Sequence, residues 1–150
     1  STKGILSAGL LPALTFLIAA FISFATGTSW GTMAILIPIV LPLSWEFISD
    51  ANAAPSLMTA TLAAVLSGAV FGDHCSPISD TTIMSSMASG ADHVDHVKTQ
   101  IPYAAAVAGV ALFTGYLPAG IGISPWISNT LSTGILLCII LLLGKKIQNS

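Results

Sequence analysis

The chain has 150 residues, of which 54% are hydrophobic and only 7% are charged, whereas roughly a quarter of an ordinary soluble domain is charged. Four basic residues stand against six acidic ones, and the formal net charge of −2 excludes an electrostatic nucleic-acid binder. Two long stretches, residues 4–45 and 99–144, contain no charged residue. Each is longer than the roughly 20 apolar residues that span a bilayer, so the composition indicates a membrane protein.

The first hydrophobic region, residues 9–43, is divided by a polar, glycine-rich run at 26–32. The apolar arms on either side, of about 16 and 11 residues, would form helices roughly 24 and 17 Å long. Both are shorter than the roughly 30 Å hydrocarbon core. The pattern therefore predicts a re-entrant hairpin or a broken helix with its polar tip at 26–32, and Pro38 and Pro42 would kink the second arm.

The second region, residues 57–90, follows a hydrophilic connector at 46–55. Its apolar part has about 15 residues, too few to cross a bilayer alone, and a polar break at 72–82 separates it from further apolar sequence. This pattern predicts a discontinuous transmembrane helix. Paired interrupted segments of this kind indicate the binding site of a transporter.

Residues 90–100 form a polar connector, and residues 101–123 and 126–144 are predicted to be two plain spans. In the first of these spans, small residues recur every four positions: Ala111, Gly115 and Ala119. This spacing lets a neighbouring helix approach closely, as in ordinary tight packing. Lys145 and Lys146 follow the last span, so the positive-inside rule places the C-terminus in the cytoplasm.

Two acids, Asp73 and Asp80, are the only charged residues between Asp50 and Asp92. A carboxylate at the bilayer centre costs at least about 2.5 kcal/mol, so we expect both acids to have a structural or functional role. The hydroxyls and freed carbonyls of the two polar runs suit a hard cation. One carboxylate can hold H⁺ or Na⁺ but not both, and this competition would give exchange. Alternatively, the acids cap the half-helix ends, with Asp80 as the N-cap of the second half.

Three other polar patterns have weaker functional interpretations. His74 and Cys75 are adjacent and point apart, and no second pair stands at zinc-ligand spacing. We therefore expect a packed histidine beside the ion path, with a proton relay as the alternative. His93 and His96 lie three apart in a polar connector, which favours a solvated helix surface. Residues 27–31 match G-x-S-x-G, but that hydrolase motif requires a preceding strand, so we expect no enzyme.

Three motifs in the chain resemble the NhaC-type Na⁺/H⁺ antiporter family. They are FATGTSWGT at 24–32, GDHCSPISDTT at 72–82 and HVDHVKTQIPY at 93–103. The resemblance covers residues from about 9 to 103, and the GDHCSPISDTT run is its most specific part. The last two spans are similar to the family only in hydropathy.

The resemblance implies an all-α polytopic membrane protein. The expected fold combines a re-entrant helical hairpin, a discontinuous transmembrane helix and full-length spans, together one half of an inverted-repeat transporter. By this analogy, residues 26–32 are the hairpin tip and residues 72–82 the unwound part of the broken helix. Family members are much longer, so the chain is similar to the second repeat of a longer parent protein.

The resemblance also implies secondary antiport of Na⁺ against H⁺, with Asp73 as the carboxylate for which the two ions compete. The residues expected to complete or tune the ion cage are Asp80, Ser76, Ser79 and Thr82, and those expected to close it from the hairpin are Thr28, Ser29 and Thr32. The nearest alternative is an antiporter that couples Na⁺ or H⁺ to an organic anion or metabolite. A non-transporting membrane subunit is a third.

The expected location is the cytoplasmic (inner) membrane. The expected partners are the lipid bilayer and the N-terminal repeat of the parent chain, with no nucleic acid, and a homodimer is left open. We expect no cofactor, because Na⁺ and H⁺ are transported ions.

Overall fold

The structure is a computed structural model that describes residues 2–51 and 55–143. Its helices, in chain order, are α1 (Thr2–Thr26), α2 (Ser29–Ala51), α3 (Ser56–Cys75), α4 (Asp80–Ser89), α5 (His93–Val110), a π-helical segment (Ala111–Tyr116), α6 (Leu117–Gly120) and α7 (Pro125–Leu143). Five helical stretches among the described residues are long and apolar enough to cross a membrane. The prediction of an all-α polytopic membrane protein is therefore confirmed.

Helices α1 and α2 form a hairpin with a two-residue turn. Gly27 ends α1 in the left-handed conformation, with φ 67°, and its N–H donates to the carbonyl of Ser23 at 2.8 Å. Thr28 begins the next helix, because its hydroxyl accepts from the N–H of Gly31 at 3.3 Å, as expected of an N-cap residue. Gly27 therefore supplies the stop signal of α1, and Thr28 supplies the start signal of α2.

Both arms of the hairpin are longer than the sequence pattern predicted. The segments Ala8–Thr26 and Ser29–Ser49 are each long enough to cross a membrane, so the prediction of two short arms is wrong. Pro38 and Pro42, which predict kinks in the second arm, both lie inside helix α2. It also runs to residue 51, so much of the connector predicted at 46–55 is helical.

The discontinuous helix predicted over residues 57–90 is interrupted over fewer residues than expected. Helix α3 has 20 residues, and at that length it reaches across a bilayer, contrary to the expectation that it is too short. It includes residues 72–75, which were assigned to the polar break. Only residues 76–79 lie between α3 and the ten-residue α4. The polar side chains at the two ends of the predicted break are therefore carried on helices.

Helices α1 and α3 pack with their backbones in contact. A methyl group added at Gly68 would meet the carbonyl of Phe16, and one added at Gly72 would overlap the carbonyl of Ala20. The hydroxyl of Ser23 spans the same interface, donating to the carbonyl of Ala69 at 2.6 Å. The four-residue spacing of the two glycines is the small-residue pattern that allows membrane helices to approach closely.

Polar and apolar residues are distributed as in a membrane protein. Large apolar side chains lie on the surface, with Trp30 82% and Leu142 83% exposed. Hydroxyl side chains are buried instead, among them Thr15, Ser23, Thr32, Ser44, Thr61, Ser76 and Ser79. Lipid solvates the apolar exterior, whereas buried hydroxyls find partners in the helix backbones.

The later spans bury fewer of their residues than the first three helices, although Gly120 packs against the backbone of Gly9 on α1. The stretch His93–Gly120 is one long candidate span, so α5 begins inside the connector predicted at 90–100. At Gly115 no described atom lies within 4 Å of an added methyl group, so the expected close helix approach is absent there. A cavity of about 630 Å³ occupies this place between α3, the π-helical segment and α7. Residue 144 and both terminal lysines, Lys145 and Lys146, lie outside the described residues.

The π-helical segment directs its polar side chains to two neighbours. The hydroxyls of Tyr116 and Ser67 pair with each other, and the Tyr116 ring stacks on Phe16 with centroids 5.1 Å apart. Thr114 and Ser132 share a hydrogen bond of 2.6 Å. The segment thus connects the long span to α1, α3 and α7.

Candidate functional site

The tip of the hairpin meets the break between α3 and α4, and we call this contact the junction (residues 24–29 with 73–79). Gly27 packs directly on the break, because an added Cβ would lie 2.9 Å from the carbonyl oxygen of Ile78. The hydroxyl of Ser76 donates to the carbonyl of Phe24 at 2.8 Å. The structure therefore brings the two polar runs of the sequence together at one place.

Asp73 is the buried carboxylate of the junction. It lies in the last turn of α3 and is only 8% exposed. Its Oδ2 accepts from the hydroxyl of Ser29 at 3.0 Å. Its Oδ1 is buried and has no hydrogen-bond partner in the part of the chain that the structure describes. A buried carboxylate oxygen without a donor is unfavourable unless it gains a partner, and a proton or a hard cation can be that partner.

Hydroxyls predicted to belong to the site surround the junction and bond mainly to backbone. Thr32 is buried and donates to the carbonyl of Thr28 at 2.9 Å. Thr82 donates to the carbonyl of His74 over a long 3.5 Å. The buried Ser79 shares its hydrogen bond with Thr81 at 2.8 Å. Each hydroxyl oxygen keeps lone pairs after donating, so these residues remain candidate ligands for a hard cation.

Asp80 and His74 stand apart from this buried group. Asp80 is exposed, and its Oδ1 accepts from the N–H of Thr81 at 2.7 Å. It is the first helical residue of α4, whereas Ser79 is the N-cap, so the alternative that Asp80 is the N-cap is wrong by one position. Its charge still stabilises the positive end of the α4 dipole. The side chain of His74 is exposed, and its role as a relay stays a prediction.

His93 contacts the junction, which the sequence pattern did not reveal. Its Nε2 lies 2.7 Å from the carbonyl oxygen of Pro77, and its Nδ1 lies 3.2 Å from the hydroxyl of Ser86. The ring is half-buried, so the expectation of a solvated surface is wrong for His93. The sequence offered only a weak signal, namely its place directly after Asp92, the N-cap of α5.

The sequence of the chain matches a protein family and several known proteins. Residues 1–121 match the Na⁺/H⁺ antiporter family. An uncharacterized protein of Haemophilus influenzae is 46% identical over 136 residues, which are 91% of this chain and 25% of that protein. The malate-2H(+)/Na(+)-lactate antiporter of Bacillus subtilis is 37% identical over 87 residues, 58% of this chain and 17% of that protein. An uncharacterized Na(+)/H(+) antiporter of Haemophilus influenzae is 38% identical over 80 residues, 53% of this chain and 16% of that protein.

These matches fix the class of the protein. The chain spans no more than 25% of the length of the relatives it matches, and no solved structure matches it. The family and its named members are transporters rather than enzymes. With a family match that covers residues 1–121, the chain belongs to the Na⁺/H⁺ antiporter family.

Proposed function

We propose that the full-length protein exchanges Na⁺ for H⁺ across the inner membrane, with its C-terminus in the cytoplasm and Asp73 as the carboxylate for which the two ions compete. The observation that carries this proposal is the half-paired state of Asp73. One carboxylate oxygen accepts from Ser29, while the other is buried and has no partner among the described residues.

The missing partner of this oxygen is expected to be positively charged. The sequence contains no Lys or Arg between Lys3 and Lys98, so the segment that builds the junction offers Asp73 no permanent cation. A proton or a Na⁺ ion satisfies the free oxygen, and each excludes the other. Alternate occupation of one oxygen couples the two ions in opposite directions, provided that the junction is reached from one side of the membrane at a time.

Asp80 favours a cation over an organic anion as the ligand of the junction. The N-terminus of a helix attracts anions through its dipole and its unpaired N–H groups. At α4 the first-turn carboxylate of Asp80 already occupies this end, and its charge would repel a second carboxylate. We therefore propose that the junction takes the inorganic cation.

A second candidate function is exchange of organic acids with Na⁺ or H⁺ as the coupling ion. It is supported by the Bacillus subtilis relative, which is 37% identical and is named for malate, lactate, Na⁺ and H⁺. In this alternative the cation still binds at Asp73, and the organic acid binds elsewhere in the full-length protein. The two functions are separated by whether Na⁺ alone drives proton movement.

The decisive experiment uses the full-length protein in proteoliposomes that contain a pH-sensitive dye and carry an imposed pH gradient. Na⁺, Li⁺ or K⁺ is added to the wild type, to Asp73→Asn and to the matched control Asp80→Asn. We expect Na⁺ to collapse the gradient in the wild type and in Asp80→Asn, because only Asp73 is buried. Asp73→Asn removes the charge for which the ions compete, and its response should vanish.

Two results would contradict the proposal. A wild type that responds to no cation until malate or lactate is added would favour the organic-acid function. An Asp73→Asn variant that exchanges Na⁺ as well as the wild type would show that the carboxylate is not the shared ligand.

A further inference from the structure

The ring of His93, on α5, contacts the helix break between α3 and α4. His93 is the first residue of α5, directly after the N-cap Asp92, whose Oδ1 accepts from the N–H groups of Val94 and Asp95 at 2.9 and 3.1 Å. This cap fixes the start of α5. The His93 ring then reaches the carbonyl of Pro77 at 2.7 Å and the hydroxyl of Ser86 at 3.2 Å.

The hydrogen-bond partners decide which ring nitrogen carries the proton. The Pro77 carbonyl can only accept, so Nε2 of His93 must be the donor. The Ser86 hydroxyl has one hydrogen and two acceptors within reach, the carbonyl of Thr82 at 2.8 Å and Nδ1 of His93 at 3.2 Å. Whichever acceptor the Ser86 hydroxyl donates to, the bond from Nε2 of His93 to the Pro77 carbonyl is retained.

The break needs this bond because its backbone has left the helix. Pro77 has no N–H, and its carbonyl lies between two helix ends, where an unpaired group within a membrane protein costs several kcal/mol. The hairpin holds the neighbouring residues, Ser76 through its hydroxyl and Ile78 through contact with Gly27. His93 therefore holds the middle of a loop whose two flanks are held by the hairpin.

We propose that His93 is a positioning residue for the cation site, which fixes the break 76–79 through the Nε2 bond to Pro77 and so sets the position of Asp73. Asp73 lies four residues before Pro77, and the N–H of Ser76 donates to the Asp73 carbonyl at 3.1 Å. A shift of the loop therefore moves the last turn of α3. The hydrogen bonds of His93 go to Pro77 and Ser86 and not to Asp73 or Ser29, so it acts through the loop. This inference rests on the proposed function in taking Asp73 as the ion ligand.

Three substitutions separate the two bonds of the His93 ring. His93→Gln retains a donor near the position of Nε2, His93→Asn retains one near Nδ1, and His93→Leu retains neither. The matched control is His96→Gln, one turn further along the same helix. All are made in the full-length protein, and Na⁺-driven collapse of a pH gradient is measured over a range of Na⁺ concentrations.

We expect His93→Leu and His93→Asn to raise the apparent KM for Na⁺ about tenfold, the effect of losing one hydrogen bond. His93→Gln and His96→Gln should stay within about twofold of the wild type. Rescue by glutamine and not by asparagine identifies the Pro77 bond as the one that matters. Equal KM values for the leucine, asparagine and glutamine variants would overturn the proposal.

A second readout does not depend on which ion is transported. Cys75 lies two residues before Pro77 and is 5% exposed, so its alkylation by N-ethylmaleimide reports opening of the break. Peptide mass spectrometry resolves Cys75 from the exposed Cys138. We expect the alkylation rate at Cys75 to rise at least about fivefold in His93→Leu and to stay near the wild type in His93→Gln.

The two readouts separate failure of this inference from failure of the proposed function. A wild type without any Na⁺ response contradicts the proposed function, and Cys75 alkylation then still decides whether His93 holds the break. Unchanged alkylation in His93→Leu would overturn the positioning role even if Na⁺ exchange is observed. Where the leucine variant does not fold, the asparagine and glutamine variants make the same comparison.

Discussion

The first three helices and the later spans of this chain bury their surfaces very differently. Within the most apolar 18 residues of each stretch, the share of buried residues is 56% in Ala8–Thr26, 22% in Ser29–Ser49 and 44% in Ser56–Cys75, but 0% in His93–Gly120 and 6% in Pro125–Leu142. The close-packed pair α1 and α3 carries Asp73 and the hairpin tip, whereas the later spans present apolar side chains outward. The difference shows that the polar junction is built where helix backbones touch, since a rigid frame is what keeps polar groups paired within a membrane.

The largest effect is expected from a methyl group at the tightest point of the first region. In Gly72→Ala the new Cβ would overlap the Ala20 carbonyl, so α1 and α3 must separate at a cost of about 3 kcal/mol. The measurement is the apparent melting midpoint of the detergent-solubilised protein, with size-exclusion chromatography as the readout of the protein that stays folded. Gly134→Ala on α7, where no described atom lies within 4 Å of the added methyl, is the control. Equal midpoints for the two variants would remove the distinction between the regions.

The next effect concerns the contact between the hairpin and Asp73. Ser29→Ala removes the hydroxyl that donates to Oδ2 at 3.0 Å, and a charge-assisted bond of this kind contributes about 1.5–3 kcal/mol. We expect the apparent KM for Na⁺ to rise about tenfold or more in the proteoliposome assay. Ser29→Thr keeps a hydroxyl and should remain close to the wild type. If alanine and threonine behave alike, the Ser29 hydroxyl is not part of the site.

A smaller effect is expected from the hydroxyl that connects α1 to α3. Ser23→Ala removes the 2.6 Å bond to the Ala69 carbonyl, and such interhelical bonds contribute about 0.6–1.7 kcal/mol in membrane proteins. The control is Thr130→Ala on α7, whose hydroxyl bonds within its own helix to Trp126 at 2.8 Å. Midpoint melting temperatures should fall for Ser23→Ala and stay unchanged for Thr130→Ala. The reverse order would mean that α7 matters more to stability than the buried α1–α3 interface.

The smallest effect is expected in the π-helical segment. Gly115→Ala adds a methyl group where no described atom lies within 4 Å, so the change in unfolding free energy should be within about 0.5 kcal/mol. The same melting measurement tests it beside Gly72→Ala. A loss as large as that of Gly72→Ala would show that the cavity next to Gly115 is filled in the full-length protein.

The sequence predicted which parts of the chain are chemically important better than it predicted where helices end. The hairpin tip and the broken helix were located by polar residues within apolar sequence. The sequence pattern misplaces helix ends because it assigns polar residues to unwound backbone, although Asp73 lies on the last turn of α3. Hydropathy describes the medium around a residue, whereas backbone hydrogen bonds determine where a helix stops.

Contacts between distant residues were beyond sequence reasoning. The bond from Ser29 to Asp73 joins residues 44 apart, and the bond from His93 to Pro77 joins residues 16 apart. Neither has a periodic signal, because each depends on how helices pack. The spacing of Gly68 and Gly72 did carry a signal for the α1–α3 contact, and it is the small-residue pattern that was noted instead at Gly115, where the helices stay apart.

The π-helical segment Ala111–Tyr116 has a consequence for how this span tolerates changes in length. A π-helical turn is equivalent to one extra residue inserted into an α-helix. Because the wide turn absorbs that residue, the helical residues before and after it keep the register of an uninterrupted α-helix. Deleting one residue within the segment would therefore restore a regular α-helix without turning the residues that follow. The same deletion inside a regular helix such as α3 would rotate all later residues by about 100°, so we expect the span to tolerate a single-residue deletion in the π-helical segment better than α3 tolerates one.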